Sequence, residues 1–182
     1  MIKKLTLAAL VAAASQAALA SPTTSVIHFK GSVLGSTCDI SVNGVATPNP
    51  ATVVLGDALA ENLAKAGDTT GETDFAIELK NCSGTGTKAR ASFKGANGTT
   101  IANGRLDNMA ATKAAQNVQL ELRHKFSGAS SAIAVDGDQS ALPYADIAGG
   151  AATLPYAIRY YATDAATEGA VEGAVEFTVA YQ

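Results

Sequence analysis

Hydrophobic and polar residues alternate along most of this chain, and the alternation predicts a protein built mainly from β-strands. The last fifteen residues, EGAVEGAVEFTVAYQ, show the pattern most clearly. Every second position is apolar or glycine: Gly169, Val171, Gly173, Val175, Phe177, Val179 and Tyr181. A period of two is typical of a half-buried strand. The sequence therefore predicts a C-terminal strand that has one apolar face and runs to the last residue.

Further strands are predicted wherever similar alternation or a β-branched run recurs. These segments are residues 25–34, 52–55, 75–82, 89–94, 118–123, 133–135 and 154–162. Four pairs typical of turns separate them: Asn43-Gly44, Asn97-Gly98, Asn103-Gly104 and Asp136-Gly137. Many short strands separated by turns favour a β-sandwich.

One stretch has the spacing of a short helix rather than of a strand. Asp57 is placed to cap it, Leu59 and Leu63 are four residues apart, and Gly67 is placed to end it. The sequence therefore predicts a single short helix, with every other element a strand.

The N-terminus has the organisation of a secretory signal peptide. A basic start at Lys3 and Lys4 precedes an uninterrupted run of apolar and small residues from Leu5 to Ala14. Ala18-Leu19-Ala20 then forms a small-residue cleavage site before Ser21. A membrane anchor is the alternative, but the run is too short to span the hydrocarbon core. We expect residues 1–20 to be removed.

Charge and cysteine content narrow the class of protein. Without Lys3 and Lys4, the chain has 11 basic residues against 16 acidic ones, and the absence of a basic cluster argues against nucleic acid as a partner.

Export places Cys38 and Cys82, the two cysteines, in an oxidising compartment, where an even count suggests one disulfide. A loop of about 45 residues closed in this way stabilises the fold by roughly 4 kcal/mol in the chain-entropy model.

Catalytic and metal-binding signals are weak throughout the sequence. There is no G-x-S-x-G and no H-E-x-x-H motif. Asp136-Gly137-Asp138 lacks the oxygen ligands of a full calcium loop and is interpreted as a turn. His28 and His124 each lie beside a basic residue at polar positions, which favours solvated side chains. We therefore expect no enzymatic activity, no cofactor and no metal site.

Several runs of the sequence resemble the chaperone–usher pilins, and most closely the major shaft pilin of type 1 fimbriae. The runs are VIHFKGSVLGSTCDI before the first cysteine, VVLGDALAENLAKAG and FAIELKNC before the second, LPYAIRYYAT, and GAVEGAVEFTVAYQ at the end. Gly169 stands fourteenth from the end and Tyr181 second from the end, in agreement with the C-terminal signature of the family. The resemblance covers nearly the whole chain after the signal peptide.

The resemblance implies a fold and an assembly mechanism. Each subunit is expected to be an incomplete immunoglobulin-like sandwich that lacks its seventh strand and is completed by donor-strand complementation. A periplasmic chaperone lends a strand to the resulting groove, and the N-terminal extension of the next subunit later replaces it at an outer-membrane usher. The donor positions implied here are Ser25, Ile27, Phe29, Gly31 and Val33. The chaperone is expected to grip the C-terminus and pair along Gly169, Val171, Val175, Phe177, Val179 and Tyr181.

These inferences divide the chain into a signal peptide (1–20), a donor strand (21–33) and a pilin domain (34–182). The leading hypothesis is a structural subunit of an extracellular fimbria that polymerises head to tail and supports cell adhesion. A minor or adaptor pilin of the same fibre is the second hypothesis. A carbohydrate-binding adhesin and a secreted enzyme are weaker alternatives, since the chain has no Trp to stack on sugars and no catalytic constellation.

Overall fold

The computed structural model of the protein describes Gly35 and residues 37–182, and these residues form an all-β fold. The predicted signal peptide and donor strand lie outside the described residues. The strands are β1 (Thr37–Val42), β2 (Val45–Ala46), β3 (Thr69–Ser83), β4 (Lys88–Gly95), β5 (Ile101–Ala102), β6 (Arg105–Asp107), β7 (Val118–His124), β8 (Ser131–Ala132), β9 (Ala145–Asp146), β10 (Ala152–Ala162) and β11 (Val175–Tyr181). Among the described residues, the structure contains no helix with the length and hydrophobicity needed to span a bilayer.

The strands form two antiparallel sheets. The large sheet has the order β2-β1-β3-β10-β7-β6-β5, with β8 paired to β7. The small sheet has the order β11-β4-β9. The hairpins β1–β2 and β5–β6 turn at Asn43-Gly44 and Asn103-Gly104, and all four of these residues have positive φ, as expected for two-residue hairpin loops. These turn predictions are confirmed.

The two sheets contribute to one hydrophobic core. Its buried side chains include Ile77 and Leu79 of β3, Phe93 of β4, Leu122 of β7 and Tyr156 of β10. The rings of Phe93 and Tyr156 meet edge to face with centroids 4.9 Å apart, which links the small sheet to the large one. The alternation predicted for residues 75–82, 89–94, 118–123 and 154–162 is confirmed as strand in each case.

The disulfide prediction is also confirmed. Cys38 lies in β1 and Cys82 lies in β3, and the two residues are bonded across this antiparallel pair with their Cα atoms 4.1 Å apart. The bond ties β1 to the long strand β3 next to a shift in pairing register between Thr37 and Asp39.

The predicted helix at residues 57–67 is wrong in length and type. The structure has one 3₁₀ turn, Ala60–Leu63, preceded by Leu59 as the N-cap residue, not Asp57. The reason is burial: Leu63 is 3% exposed whereas Leu59 is 62% exposed, so the chain has one apolar anchor here and not an apolar stripe. A single anchor stabilises one turn but does not support a longer amphipathic helix.

Two predicted strands, residues 52–55 and 133–135, are not strands in the structure. Ile133 and Val135 are buried, but each donates a single backbone hydrogen bond, to Leu122 and Gly104 respectively. In residues 51–55 the side chains alternate between half-buried and exposed, yet no strand pairs with this segment within the described part of the chain. The β-branched residues here follow an extended path without forming a ladder.

The outer face of the large sheet is closed by ion pairs. Glu121 of β7 is only 4% exposed, and its carboxylate accepts hydrogen bonds from Arg159 (Nε to Oε1, 2.9 Å) and Arg123 (Nη1 to Oε1, 2.9 Å). Arg105 stands 3.9 Å from the other oxygen and stacks over the ring of Tyr161. A buried carboxylate is tolerated when it is paired in this way. We therefore interpret this cluster as structural and not as a ligand-binding site.

Candidate functional site

The edge of β11 that faces away from β4 is the candidate functional site. β11 pairs with β4 along its whole length, from Val175 opposite Gly95 to Tyr181 opposite Ala89. Within the residues that the structure describes, no strand pairs with the other edge of β11. Unpaired strand edges are templates for pairing with another chain.

The side chains of β11 alternate between half-buried and exposed. Val175, Phe177, Val179 and Tyr181 are half-buried and pack against the main core cluster, whereas Glu176, Thr178 and Ala180 are exposed. The ring of Phe177 lies 6.5 Å from that of Phe93 between centroids. Partial burial raises the pKa of the Tyr181 hydroxyl above its ordinary value. The prediction of an alternating apolar row is confirmed for residues 175–181.

The backbone geometry shows which groups of β11 are free to bond. On β4, the N–H and C=O of Phe93 point away from β11 and bond to the side chain of Gln139. In an antiparallel pair the bonding direction alternates from residue to residue. Since Phe93 lies opposite Phe177, the backbone groups of Phe177 point away from β4 in turn. The same holds for Val175, Val179 and Tyr181, so the residues with inward side chains present the open backbone edge.

A second extended segment covers the same core cluster. Val53 and Leu55 are half-buried against it, whereas Val54, between them, is 79% exposed. Tyr160 donates a hydrogen bond from its hydroxyl to the carbonyl oxygen of Gly56 at 3.2 Å, which ties this segment to the large sheet. Residues 51–55 therefore contribute half-buried apolar side chains to the same core as β11. Within the described residues, β11 has a strand partner on one edge only, and residues 51–55 pair with no strand.

The first half of the predicted C-terminal strand has a different structure. Residues 169–174 precede β11 and bond to a loop: Ala115 N–H donates to Ala170 C=O at 2.9 Å, and Ala170 N–H donates to Lys113 C=O at 2.7 Å. The side chain of Asn108 donates to Ala170 C=O at 2.8 Å and accepts from Glu172 N–H at 3.0 Å. The predicted strand is thus too long at its N-terminal end.

Gly169 and Val171 lie in this anchored segment, which precedes β11. A Cβ at Gly169 would collide with the backbone nitrogen of Ala115 and the carbonyl oxygen of Lys113, so only glycine fits this approach of two backbones. Val171 packs on the main core cluster and also on the smaller buried cluster that contains Leu63 and Val118. Of the six C-terminal residues singled out in the sequence, the structure places Val175, Phe177, Val179 and Tyr181 together on the β11 edge.

Known proteins resemble this chain over most of its length. A family described as fimbrial protein matches residues 27–182. The chain is 32% identical over 176 residues to the type-1 fimbrial protein A chain of Escherichia coli K12, covering 92% of this chain and 91% of that protein. It is 35% identical over 178 residues to a major fimbrial subunit of Stenotrophomonas maltophilia, covering 94% and 99%.

Solved structures show the same fold. The P pilus rod subunit PapA matches with a TM-score of 0.56 at 20% identity, covering 80% of this chain and 99% of that one. A Burkholderia pseudomallei antigen and type I fimbria protein matches with a TM-score of 0.54 at 27% identity, covering 82% and 99%.

Proposed function

The chain belongs to the fimbrial protein family, and on this basis we propose that it polymerises head to tail by strand addition at the open edge of β11. As a member of this family it is a structural subunit of surface fimbriae, homologous to major pilins, and is not an enzyme. Polymerisation with other subunits follows from the family. The route by which subunits join is our proposal.

The observation that supports this route is the combination of a free backbone edge with a half-buried apolar row. The inward-facing residues of β11 are also the ones whose N–H and C=O groups point away from β4. An added strand would gain a backbone ladder and would cover the apolar row at the same time, which is the mode of β-augmentation. Among the described residues, β2, β5, β8 and β9 are also edge strands, but each has only two residues, whereas β11 has seven.

The N-terminal extension of a neighbouring subunit supplies the added strand. In residues 21–33 the alternating positions are Ser25, Ile27, Phe29, Gly31 and Val33. Burial of the three large apolar side chains in this set would contribute roughly 5–9 kcal/mol, at about 1.5–3 kcal/mol each. Gly31 would meet the part of the groove where a side chain finds no space.

Before polymerisation, a periplasmic chaperone occupies the same edge and delivers the subunit to an outer-membrane usher. The chaperone pairs along Val175, Phe177, Val179 and Tyr181. We assign Gly169 and Val171 the task of holding the strand in place from its N-terminal side, through their contacts with residues 113–115 and the Leu63 cluster.

The proposal is tested with purified chaperone–subunit complex and peptides that span Ser21–Val33. The wild-type peptide should displace the chaperone, and a Gly31→Leu peptide should do so much more slowly, because overpacking a fitted site costs roughly 1–3 kcal/mol. A Ser32→Leu peptide is the matched control, since it places the same leucine side chain on the opposite face of the donor strand, next to Gly31. Equal release by all three peptides would show that Gly31 does not face the groove.

Position in the fibre is tested separately. Antibody labelling in electron micrographs should mark the whole length of the fibre if the chain is a shaft subunit, in keeping with its similarity to major subunits. Label confined to the tip would instead assign it to an adaptor position.

A further inference from the structure

The small sheet has a second edge, and this edge is closed by side chains. β4 bonds to β11 on one side and to β9 on the other, but the β9 ladder reaches only Lys88 and Ala89. Residues 91–95 of β4 would therefore present a second free edge, next to the same apolar core. In the structure, a loop formed by residues 134–142 lies along this edge and occupies it.

Gln139 takes the place of a neighbouring strand at Phe93. Its Oε1 accepts a hydrogen bond from Phe93 N–H at 2.8 Å, and its Nε2 donates to Phe93 C=O at 2.7 Å and to Ala134 C=O at 3.0 Å. A carboxamide carries the same donor and acceptor pair as a peptide group. The glutamine side chain thus reproduces the two bonds that a paired strand would make at this residue.

The backbone N–H groups on either side of Phe93 are also occupied without a strand. Ala91 N–H donates to the hydroxyl of Tyr156 at 3.3 Å, and Gly95 N–H donates to Oδ1 of Asp136 at 3.2 Å. From residue 91 to residue 95, each N–H group that points away from β11 is therefore satisfied by a side chain. A ladder of ordinary strand geometry could not form here without displacing all three.

Arg90 holds the covering loop in place. Its Nη1 donates to three loop carbonyl groups, those of Gln139 at 3.2 Å, Ser140, and Leu142 at 3.1 Å. Its guanidinium lies over the ring of Tyr144, 4.7 Å from the centroid. Three contacts to backbone carbonyls from one guanidinium fix the course of the loop and not just one side chain.

We propose that Gln139 and Arg90 close the β4 edge against strand addition, so that each subunit accepts a strand at one edge only. The exposed edges of sheets pair readily with other chains, and proteins cover those that must not do so. A polymer that grows by strand addition would branch or clump if its subunits had two accepting edges. The inference concerns the edge opposite β11 and does not depend on which strand fills the β11 edge.

The test compares fibres made from wild-type protein, Gln139→Leu, and the control Gln116→Leu. Gln116 donates its side-chain amide to Ala114 C=O within its own loop, so the control removes an amide of equal size away from any strand edge. Hydrogen exchange at Phe93 should be about tenfold faster in Gln139→Leu, the effect of losing about one net hydrogen bond. Electron micrographs should show branched or laterally clumped fibres for this variant alone.

The milder variant Gln139→Glu keeps the loop size and the acceptor for Phe93 N–H but loses the donor to Phe93 C=O. It should produce the same defects less often, and it preserves the test if Gln139→Leu yields few fibres. Single, unbranched fibres from both variants, together with faster exchange at Phe93, would overturn the proposal, because Gln139 would then serve stability alone. Unchanged exchange at Phe93 would overturn it as well.

Discussion

Residues 169–174 and residues 175–181 continue one alternating pattern in the sequence but differ in structure. In the first half, the backbone bonds to the loop at residues 113–115 and to the side chain of Asn108. In the second half, the backbone forms a regular ladder with β4 on one side and has no strand partner on the other within the described residues. Residues 169–174 are thus anchored on a loop, whereas residues 175–181 form a strand with one unpaired edge among the described residues.

The difference shows what hydrophobic alternation reports. Val171 and Phe177 both occupy apolar positions of the pattern, and both are half-buried against the main core cluster, with Val171 also packing on the smaller cluster. The period identifies the side chains that face inwards. It does not identify the partner of each backbone group, and here that partner decides which half anchors the chain and which half remains available for an added strand.

The largest effect is expected from a charge placed among the half-buried side chains of β11, the inner row formed by Val175, Phe177, Val179 and Tyr181. Phe177→Asp removes an aromatic side chain from the core cluster and places a carboxylate in a row that we propose to be covered, at a cost on the order of 3 kcal/mol or more. The variant should not accumulate in the periplasm and should not copurify with the chaperone. Immunoblots of periplasmic extracts and of chaperone pull-downs measure both effects.

Thr178→Asp is the matched control, because it places the same charge on the exposed face of the same strand, one residue further on. It should accumulate and bind the chaperone nearly as wild type does. Equal loss in both variants would mean that a charge anywhere on β11 is harmful, and the inner row would have no special role.

The core strands could be predicted from the sequence because their alternation coincides with burial. Ile77 and Leu79 in β3 and Leu120 and Leu122 in β7 lie on the inner faces that their spacing indicates. The hairpin turns were also predictable, since Asn-Gly pairs supply the positive φ that two-residue loops require. In these places the local chemistry alone determines the structure.

The remaining features depend on contacts between residues far apart in the chain. Gln139 lies in a polar loop 46 residues from Phe93, and nothing in the local pattern marks it as a substitute for a strand. Gly169 is part of a regular alternation, but its requirement for glycine comes from the backbone at residues 113–115. Glu121 has the spacing of an exposed residue and is buried only because Arg105, Arg123 and Arg159 converge on it.

A smaller effect is expected at the anchored half, from Gly169→Ala. The added methyl group would collide with the backbone of Lys113–Ala115 and force residues 169–171 away from the loop, at a cost of roughly 1–3 kcal/mol. The fibre yield should fall, and the assembled protein should have a lower Tm. Because β11 itself is unchanged, the assembled variant should retain wild-type hydrogen exchange across residues 175–181.

Gly56→Ala is the control for this variant, since a Cβ at that exposed glycine meets no atom within 4 Å. It should behave as wild type in yield and in Tm. Faster exchange confined to β11 in Gly169→Ala would contradict the division into two halves, because it would show that Gly169 acts on the open edge directly.

The smallest effect is expected from Lys94→Gln, on the exposed face of the β4–β11 pair. Lys94 pairs with Glu176 at 2.8 Å, but both side chains are largely exposed, and exposed ion pairs contribute little to stability. The hydrogen bond to Glu176 raises the pKa of Lys94 above its ordinary value of 10.5. A raised lysine pKa stabilises the fold below pH 10.5, and that contribution is lost as the pH rises through the raised value. At pH 7 that contribution is present in full, but its removal should leave the Tm of the fibres and their number unchanged, because both side chains are exposed. A drop in Tm as large as that of Gly169→Ala would show that the outer face of this edge contributes to assembly as much as the backbone anchor does.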